Sequence, residues 1–148
     1  MQRVTHARVT VEGRVTGEVG TGLLVLLGAT HADGDAEVRW LSAKVAGLRV
    51  FSDGEGKMNR DVREAKGAVL VVPQFTLYGD ARHGRRPEFT AAARPEVAEP
   101  LFESFCTALT AHGVTVARGV FRAHMAVELL NDGPVTIAIE TPAEERAS

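Results

Sequence analysis

Two short, fully apolar segments are the strongest indication of the fold of this chain. Residues 23–27 and 68–72 are runs of five amino acids without a polar side chain. Five residues are far fewer than the roughly 20 that a membrane-spanning helix needs, and they match the length of a buried β-strand. The sequence therefore predicts a fold with strands in its interior.

Many other apolar residues alternate with polar ones, which is typical of strands that bury one face. Alternation over residues 9–11 and 15–19 predicts two strands joined by a tight turn at Gly13. Further strands are predicted around residues 114–116, 125–129 and 135–139, with a break in the chain at residues 131–134. Residues 51–58 contain two glycines and several polar side chains, so we expect a loop there.

Two segments have helical spacing instead. Apolar residues recur every three or four positions from Val38 to Leu48, and Asp33 or Asp35 is placed to cap this helix. A second helix is predicted from about Pro95 to His112. Because two helices are inserted at separated points without regular strand–helix alternation, we expect an α+β fold with a largely antiparallel, barrel-like β-sheet.

Length and composition indicate one domain over residues 1–148, in which residues 141–148 form a loose tail. A chain of this length buries roughly 70% of its unfolded surface and needs no disulfide bonds. Cys106 is the only cysteine, which suits a reducing compartment. The N-terminus lacks the pattern of a signal peptide. We therefore expect a soluble, cytoplasmic protein without a membrane partner.

The charge of the chain argues against broad contact with nucleic acid. There are 17 lysines and arginines against 19 aspartates and glutamates, a formal net charge of -2. Such a balance does not favour binding a duplex through bulk charge. A local basic patch nevertheless lies between Arg82 and Arg94, where Glu88 is the only acidic residue. We therefore expect any RNA to be contacted by its end or in a pocket.

Side chains of the common catalytic and metal-binding patterns are missing. No serine lies in a nucleophile elbow, and Cys106 lies in an apolar helix region that suits an inert thiol. The five histidines lack the pairing or cysteine partners of a zinc site. Asp33, Asp35 and Glu37 lack the glycine and distal glutamate of a calcium loop, and helix capping explains them. We expect no metal and no cofactor.

Residues 73–80, Pro-Gln-Phe-Thr-Leu-Tyr-Gly-Asp, directly follow a buried strand. The end of a strand leaves backbone N–H groups unpaired, and pairs of such donors form oxyanion holes. Gln74 and Thr76 add polar side chains at this point. The alternative is that the segment only connects a strand to the arginine-rich loop.

Residues 131–136, Asn-Asp-Gly-Pro-Val-Thr, place a proline directly after an Asp-Gly turn signal. Proline offers no N–H to the next strand, and a cis Gly133–Pro134 bond would turn two successive carbonyls outward. An ordinary turn is the alternative for this composition.

At these two segments the sequence resembles the D-aminoacyl-tRNA deacylases, formerly called D-tyrosyl-tRNA deacylases. Matching stretches follow one another from residue 2 to about residue 140, which makes the resemblance specific. They are QRVT at 2–5, GLLVLLG at 22–28, RVF at 49–51, KMN at 57–59, QFTL at 74–77, RP at 86–87 and NDGPVT at 131–136.

The resemblance implies a homodimer that hydrolyses the ester between a D-amino acid and the terminal ribose of tRNA, a step of translation quality control. In the family, the Gly-Pro peptide is cis and enters the partner's pocket. Gly133 and Pro134 would then offer two carbonyls to the substrate's α-ammonium and exclude an L side chain. Glycine has no side chain, so glycyl-tRNA, including tRNA-Ala mischarged with glycine, is implied as a second substrate.

The resemblance also assigns residue roles. The 2′-hydroxyl of the tRNA and a water carry the protons, and the backbone N–H groups of Gln74 and Phe75 stabilise the oxyanion, with Thr76 close by. Arg3 is similar to the arginine that braces the Gly-Pro carbonyls. Three further residues are expected to line or support the substrate pocket, with core packing as the alternative role of each: Phe89, Phe121 and Met125.

One residue departs from the family pattern. Pro73 stands where the first motif usually has serine, and a Pro-Gln opening also occurs in a related tRNA deacylase subgroup with a trans Gly-Pro peptide and relaxed chirality. Arg3 and Phe75 favour the D-specific type. Alternatives to the D-specific deacylase are therefore this related deacylase, or a non-catalytic module that binds RNA ends.

Overall fold

The computed structural model describes residues 1–142, so most of the predicted tail at 141–148 lies outside the described residues. Strands and helices follow in the order β1 (Gln2–Val11), β2 (Arg14–Val19), β3 (Gly22–Leu27), α1 (Asp35–Gly47), β4 (Phe51–Ser52), β5 (Met58–Arg60), β6 (Ala68–Pro73), α2 (Pro95–Ala111), β7 (Thr115–Arg118) and β8 (Ala126–Thr136). A short 3₁₀ turn, Phe75–Tyr78, follows β6. No helix within residues 1–142 has the length and apolar character needed to cross a membrane.

Six of these strands form one mixed sheet that nearly closes into a barrel. β1 pairs antiparallel with β2, β3 and β8, whereas β6 pairs parallel with both β3 and β7. β2 approaches β7 at Gly17, where an added Cβ would lie only 2.4 Å from the carbonyl oxygen of Arg118. The absence of a side chain at Gly17 therefore lets the sheet curl together, and the predicted barrel-like α+β fold is confirmed.

Both apolar runs of the sequence are buried strands with a hydrophobic cluster on each face. Leu23 and Val69 pack under the helices with Phe105, which is 1% exposed. Leu24 and Leu70 point the other way, into the second cluster with the core residues of β1. Burial on both faces explains why these strands carry no alternating polar residues.

Both helices were predicted correctly, but the cap of α1 was not. The N-cap residue is Gly34, and Glu37 reaches back to accept its N–H at 2.8 Å. Asp33 instead accepts the N–H of Thr30 at 2.9 Å and thereby closes the preceding turn. The predicted capping role of Asp33 or Asp35 was therefore wrong, because the acidic side chain one turn inside the helix performs it.

Residues 51–58 form more than the predicted loop. Phe51 and Ser52 pair with β5 in a small antiparallel hairpin, and Phe51 is buried in the core. The turn is held by Asp53, which accepts N–H groups of Glu55 and Lys57 at 2.8 and 3.0 Å. Side-chain hydrogen bonds of this kind stabilise a turn without any apolar signal in the sequence.

The predicted break at residues 131–134 is a bulge inside one continuous strand. In the pairing of β1 with β8, Val4 lies opposite Asn131 and Gln2 opposite Thr136. An interval of two residues along β1 therefore faces an interval of five residues along β8. The intervening residues leave the ladder while the strand continues on both sides. The predicted separate strand at 135–139 was wrong, since β8 ends at Thr136.

Candidate active site

Three parallel strands end at the same edge of the sheet, and a cavity of about 740 Å³ opens there. Gly28 follows β3, Gln74 follows β6 and Phe121 comes shortly after β7; all three line the cavity. Parallel strands point their carboxyl ends in one direction, so residues far apart in sequence meet at this edge. The cavity walls are mostly apolar and are completed by residues of α1 and α2.

The motif after β6 holds backbone donors at the mouth of the cavity. The N–H of Gln74, predicted as an oxyanion donor, donates to the carbonyl oxygen of Leu27 at 2.8 Å and is therefore already engaged within the protein. Phe75 and Thr76 begin the 3₁₀ turn, and within residues 1–142 their N–H groups donate to no acceptor. These two N–H groups are therefore the donors that remain for an oxyanion.

The side chains of this motif are arranged around those donors. Gln74 donates from Nε2 to Oγ1 of Thr76 at 2.5 Å, which fixes both polar side chains. Phe75 is 58% exposed, and its ring packs edge-on against Phe89 with centroids 5.2 Å apart. An aromatic side chain that stays this exposed suggests a surface that is covered by something else.

Of the other predicted pocket residues, Phe89 and Phe121 line the cavity, whereas Met125 does not. Met125 packs in the second hydrophobic cluster, and its Sδ accepts the N–H of Val120 at 3.4 Å. It lies against Gly119, which in turn packs on Pro73. Met125 can therefore support the cavity wall from behind without lining it.

Sequence reasoning missed four charged residues of the cavity wall. Arg94 and Arg122 line the cavity and are exposed, while Asp33 and Glu37 line it from the start of α1. One carboxylate oxygen of each acid, Asp33 Oδ1 and Glu37 Oε1, is buried without a hydrogen-bond partner in the described residues. The only sequence signal for Asp33 and Glu37 was their position near the start of a helix, and helix capping was a sufficient explanation for acidic residues there.

The Gly-Pro motif forms a second cluster, on the bulge of β8. Asn131 holds the base of this bulge, because its Oδ1 accepts the N–H of Val135 at 2.8 Å and its Nδ2 donates to Thr136 at 3.0 Å. The Gly133–Pro134 peptide is cis, as the resemblance implies. Gly133 has a φ of +137°, a conformation that favours glycine.

Arg3 braces this bulge from β1. Its Nε donates to the carbonyl oxygen of Asp132 at 3.0 Å, and its Nη1 donates to that of Val50 at 2.8 Å. The Arg3 side chain is only 15% exposed; its bond to Val50 is partly buried, whereas its bond to Asp132 lies at the surface. Arg3 thus connects the bulge to the segment before β4.

The structure of one chain does not bring these two clusters together. Gly133, Pro134 and Arg3 do not line the cavity, and Gly133 and Pro134 are exposed. Gln74, Phe75, Phe89 and Phe121 do line it, and Thr76 lies beside them. The Gly-Pro peptide is therefore presented outward from the protein and not toward the cavity of its own chain.

The lining residues offer no side-chain nucleophile of the usual kind. No serine, cysteine or histidine is among them in the described part of the chain. Within residues 1–142 there is also no group of three His, Cys, Asp or Glu side chains that could hold a metal ion. The chemistry that this site supports best uses backbone N–H groups and groups supplied by the substrate or water.

The only thiol should be unreactive in the folded protein. Cys106 has no exposed surface, and burial raises its pKa to about 11. At pH 8 the nucleophilic thiolate is then a very small fraction of the population. We expect iodoacetamide to leave the native protein unmodified at pH 8 and to label it once guanidinium is added, as followed by mass spectrometry. Rapid labelling of the native protein with loss of activity would contradict this.

Comparison with known proteins places the chain among tRNA deacylases. The family model described as D-Tyr-tRNA(Tyr) deacylase matches residues 1–140. The D-aminoacyl-tRNA deacylase of Symbiobacterium thermophilum is 60% identical over 141 residues, covering 95% of this chain and 93% of that protein. The protein of the same name from Desulfitobacterium hafniense (strain DSM 10664 / DCB-2) is 53% identical, covering 95% of each. A solved structure of the c-Myc DNA unwinding element binding protein is 39% identical, with a TM-score of 0.89 over 96% of this chain and 97% of that one.

Proposed function

Because the chain belongs to the D-Tyr-tRNA(Tyr) deacylase family, we propose that it is a hydrolase that cleaves the ester between a D-amino acid and the terminal ribose of tRNA. The observation that carries this proposal is the pair of unoccupied N–H donors of Phe75 and Thr76 beside a cavity whose described lining contains no serine, cysteine or histidine. An aminoacyl ester is already activated, so oxyanion donors and a positioned water are sufficient help. The protein would act in the cytoplasm as a check on charged tRNA.

The reaction proceeds by addition of water to the ester carbonyl. As the water oxygen bonds to the carbonyl carbon, the carbonyl oxygen becomes an oxyanion and accepts hydrogen bonds from the N–H groups of Phe75 and Thr76. When the tetrahedral intermediate collapses, the bond to the ribose oxygen breaks and that oxygen takes a proton. The neighbouring 2′-hydroxyl relays protons between the water and the leaving oxygen, so the products are a free D-amino acid and tRNA.

Selection of the D form depends on the Gly-Pro peptide of a partner subunit. In a homodimer, Gly133 and Pro134 of the partner subunit enter the cavity and receive the α-ammonium of the substrate on two backbone carbonyls. An L side chain then collides with this backbone, whereas a D side chain points away from it. Glycine has no side chain to collide, so glycyl-tRNA, including glycine on tRNA-Ala, is a second substrate.

The surface of the chain supports such a dimer. The Gly-Pro peptide is exposed and does not line its own cavity. Val127 and Leu130, on the strand that carries it, are 37% and 49% exposed, and Phe75 at the cavity mouth is 58% exposed. Exposed apolar side chains near the Gly-Pro peptide and at the cavity mouth are available for contact with a partner.

A first experiment separates a hydrolase from a module that only binds RNA ends. Purified protein is incubated with a large molar excess of D-tyrosyl-tRNA, and the released tyrosine is quantified over time. We expect many turnovers per protein chain, and about tenfold or less loss for Thr76→Ala, because its N–H remains in place. Stoichiometric binding without release would favour the RNA-binding module.

The same assay with glycine on tRNA-Ala tests the second substrate. We expect hydrolysis of glycyl-tRNA at a rate comparable to that of D-alanyl-tRNA, since neither places a side chain against the Gly-Pro peptide. L-alanyl-tRNA is the matched control. Cleavage of all three at similar rates would favour the related deacylase with relaxed chirality.

A further inference from the structure

A loop rich in arginine stands beside the mouth of the cavity. We call residues 81–87 the arginine loop. Its ends are held together by two backbone hydrogen bonds, from the N–H of Asp80 to Glu88 at 2.7 Å and from the N–H of Glu88 to Asp80 at 2.9 Å. Every residue of the loop is exposed.

The cations of this loop are not equivalent. Arg82 is held by Asp80, with its Nε and Nη2 donating to the two carboxylate oxygens at 2.9 and 2.7 Å. These hydrogen bonds lower the pKa of Asp80, so the pair stays charged and compensated at neutral pH. Arg85 and Arg86, in contrast, make no hydrogen bond or ion pair within residues 1–142. The free positive charge of the loop thus lies on two adjacent arginines.

The chain fixes these arginines near the candidate active site. Phe89 follows Arg86 by three residues, which limits the distance between their Cα atoms to about 10 Å. Phe89 lines the cavity and packs on Phe75, which carries one of the oxyanion donors. Just beyond it, the hydroxyl of Thr30 donates to the carbonyl oxygen of Ala91 at 2.5 Å and anchors the segment to the end of β3.

We propose that Arg85 and Arg86 bind two backbone phosphates of the tRNA acceptor end whose terminal ester occupies the cavity. This rests on the proposed function, because it takes the occupant of the cavity to be the last nucleotide of an RNA. From that nucleotide the phosphodiester chain must leave through the mouth, past the arginine loop. Guanidinium groups match phosphate geometry and bind it bidentately. Since the whole chain carries a net charge of -2, RNA affinity must depend on such local cations.

The test compares two double variants that lose the same charge. Arg85→Gln/Arg86→Gln removes the free cations of the arginine loop. Arg14→Gln/Lys66→Gln removes two exposed cations at the opposite end of the sheet, where β2 begins and where the chain enters β6. Each protein is assayed with D-tyrosyl-tRNA and with the short ester 3′-O-D-tyrosyl-adenosine, and its binding of uncharged tRNA is titrated with salt.

We expect the arginine-loop variant to raise the KM for D-tyrosyl-tRNA about tenfold with little change in kcat, and to cut the salt slope of tRNA binding by about 1.4. Its activity on the short ester should match the wild type, and the control variant should match the wild type in all three measurements. An unchanged KM and salt slope in the arginine-loop variant would overturn the proposal. If the wild type cleaves neither ester, the proposed function fails, and the salt slope still decides whether this loop binds RNA.

Discussion

Replacing Gly133 with alanine is expected to lower kcat/KM for D-tyrosyl-tRNA by about 100-fold or more. Gly133 has a φ of +137°, which an alanine side chain tolerates poorly. The added Cβ would also lie 2.8 Å from Cγ2 of Val135 and 3.1 Å from Nη2 of Arg3. The bulge must shift to relieve these contacts, and the two carbonyls proposed to receive the α-ammonium shift with it.

Gly20→Ala is the matched control for Gly133→Ala. Gly20 lies between β2 and β3, and an added Cβ there would meet no atom within 4 Å. We expect this variant to keep wild-type turnover and wild-type thermal unfolding. If Gly133→Ala folds normally and remains as active as Gly20→Ala, the role of the Gly-Pro peptide in the reaction is wrong.

A mixing experiment tests whether the peptide acts across subunits. Phe75→Pro removes one N–H proposed to stabilise the oxyanion but leaves Gly133 intact, and Gly133→Ala does the reverse. Each variant alone should be nearly inactive. In a mixed dimer, the intact cavity of one chain meets the intact Gly-Pro peptide of the other, so activity should return on mixing and subunit exchange. No return of activity, with mixed dimers demonstrated, would place both groups in the same chain.

Replacing Arg3 with methionine is the second change expected to have a large effect. Methionine keeps the apolar stem but cannot donate to the carbonyl oxygens of Asp132 and Val50, which Arg3 contacts at 3.0 and 2.8 Å. We expect kcat/KM to fall about 10- to 100-fold because the bulge loses its brace. The free energy of unfolding should fall by about 1–3 kcal/mol, the usual cost of losing hydrogen bonds from a charged group.

Two further variants show whether this loss comes from the brace itself. Arg3→Lys keeps the charge but has a single donor nitrogen, so it cannot reach both carbonyl oxygens in the way that the guanidinium does. It should therefore recover only part of the activity. Arg8→Met removes an arginine from the same strand, where Arg8 forms an exposed ion pair with Glu128 at 2.5 Å. We expect little effect there, since exposed pairs contribute little. Equal losses in the Arg3 and Arg8 variants, measured by urea unfolding and turnover, would argue against a specific role for Arg3.

Much of the fold was predictable because its signals are local. The apolar runs at residues 23–27 and 68–72 can be satisfied only in the interior, and both are buried strands. The helix period from Val38 and the proline near the start of α2 are equally local signals. The resemblance to the deacylase family, built on motifs along the whole chain, is confirmed.

The position of the candidate site was less predictable because it depends on which strands run parallel. The sequence predicts β3, β6 and β7 as separate strands, but it does not show that the three strands pair in parallel. Only that arrangement brings the residues after each strand to one edge, where Arg94 and Arg122 complete the wall. The pairing of the Gln74 N–H with Leu27 has the same origin, since it continues the parallel ladder by one residue.

We propose that the backbone of the Gly-Pro peptide, and not a fitted side-chain pocket, selects the configuration of the amino acid. The most direct measurement is the initial rate of tyrosine release from D-tyrosyl-tRNA and from L-tyrosyl-tRNA, prepared on the same tRNA and assayed with the wild-type protein. We expect the D ester to be cleaved at least about 100-fold faster than the L ester. Equal rates for the two esters would contradict it.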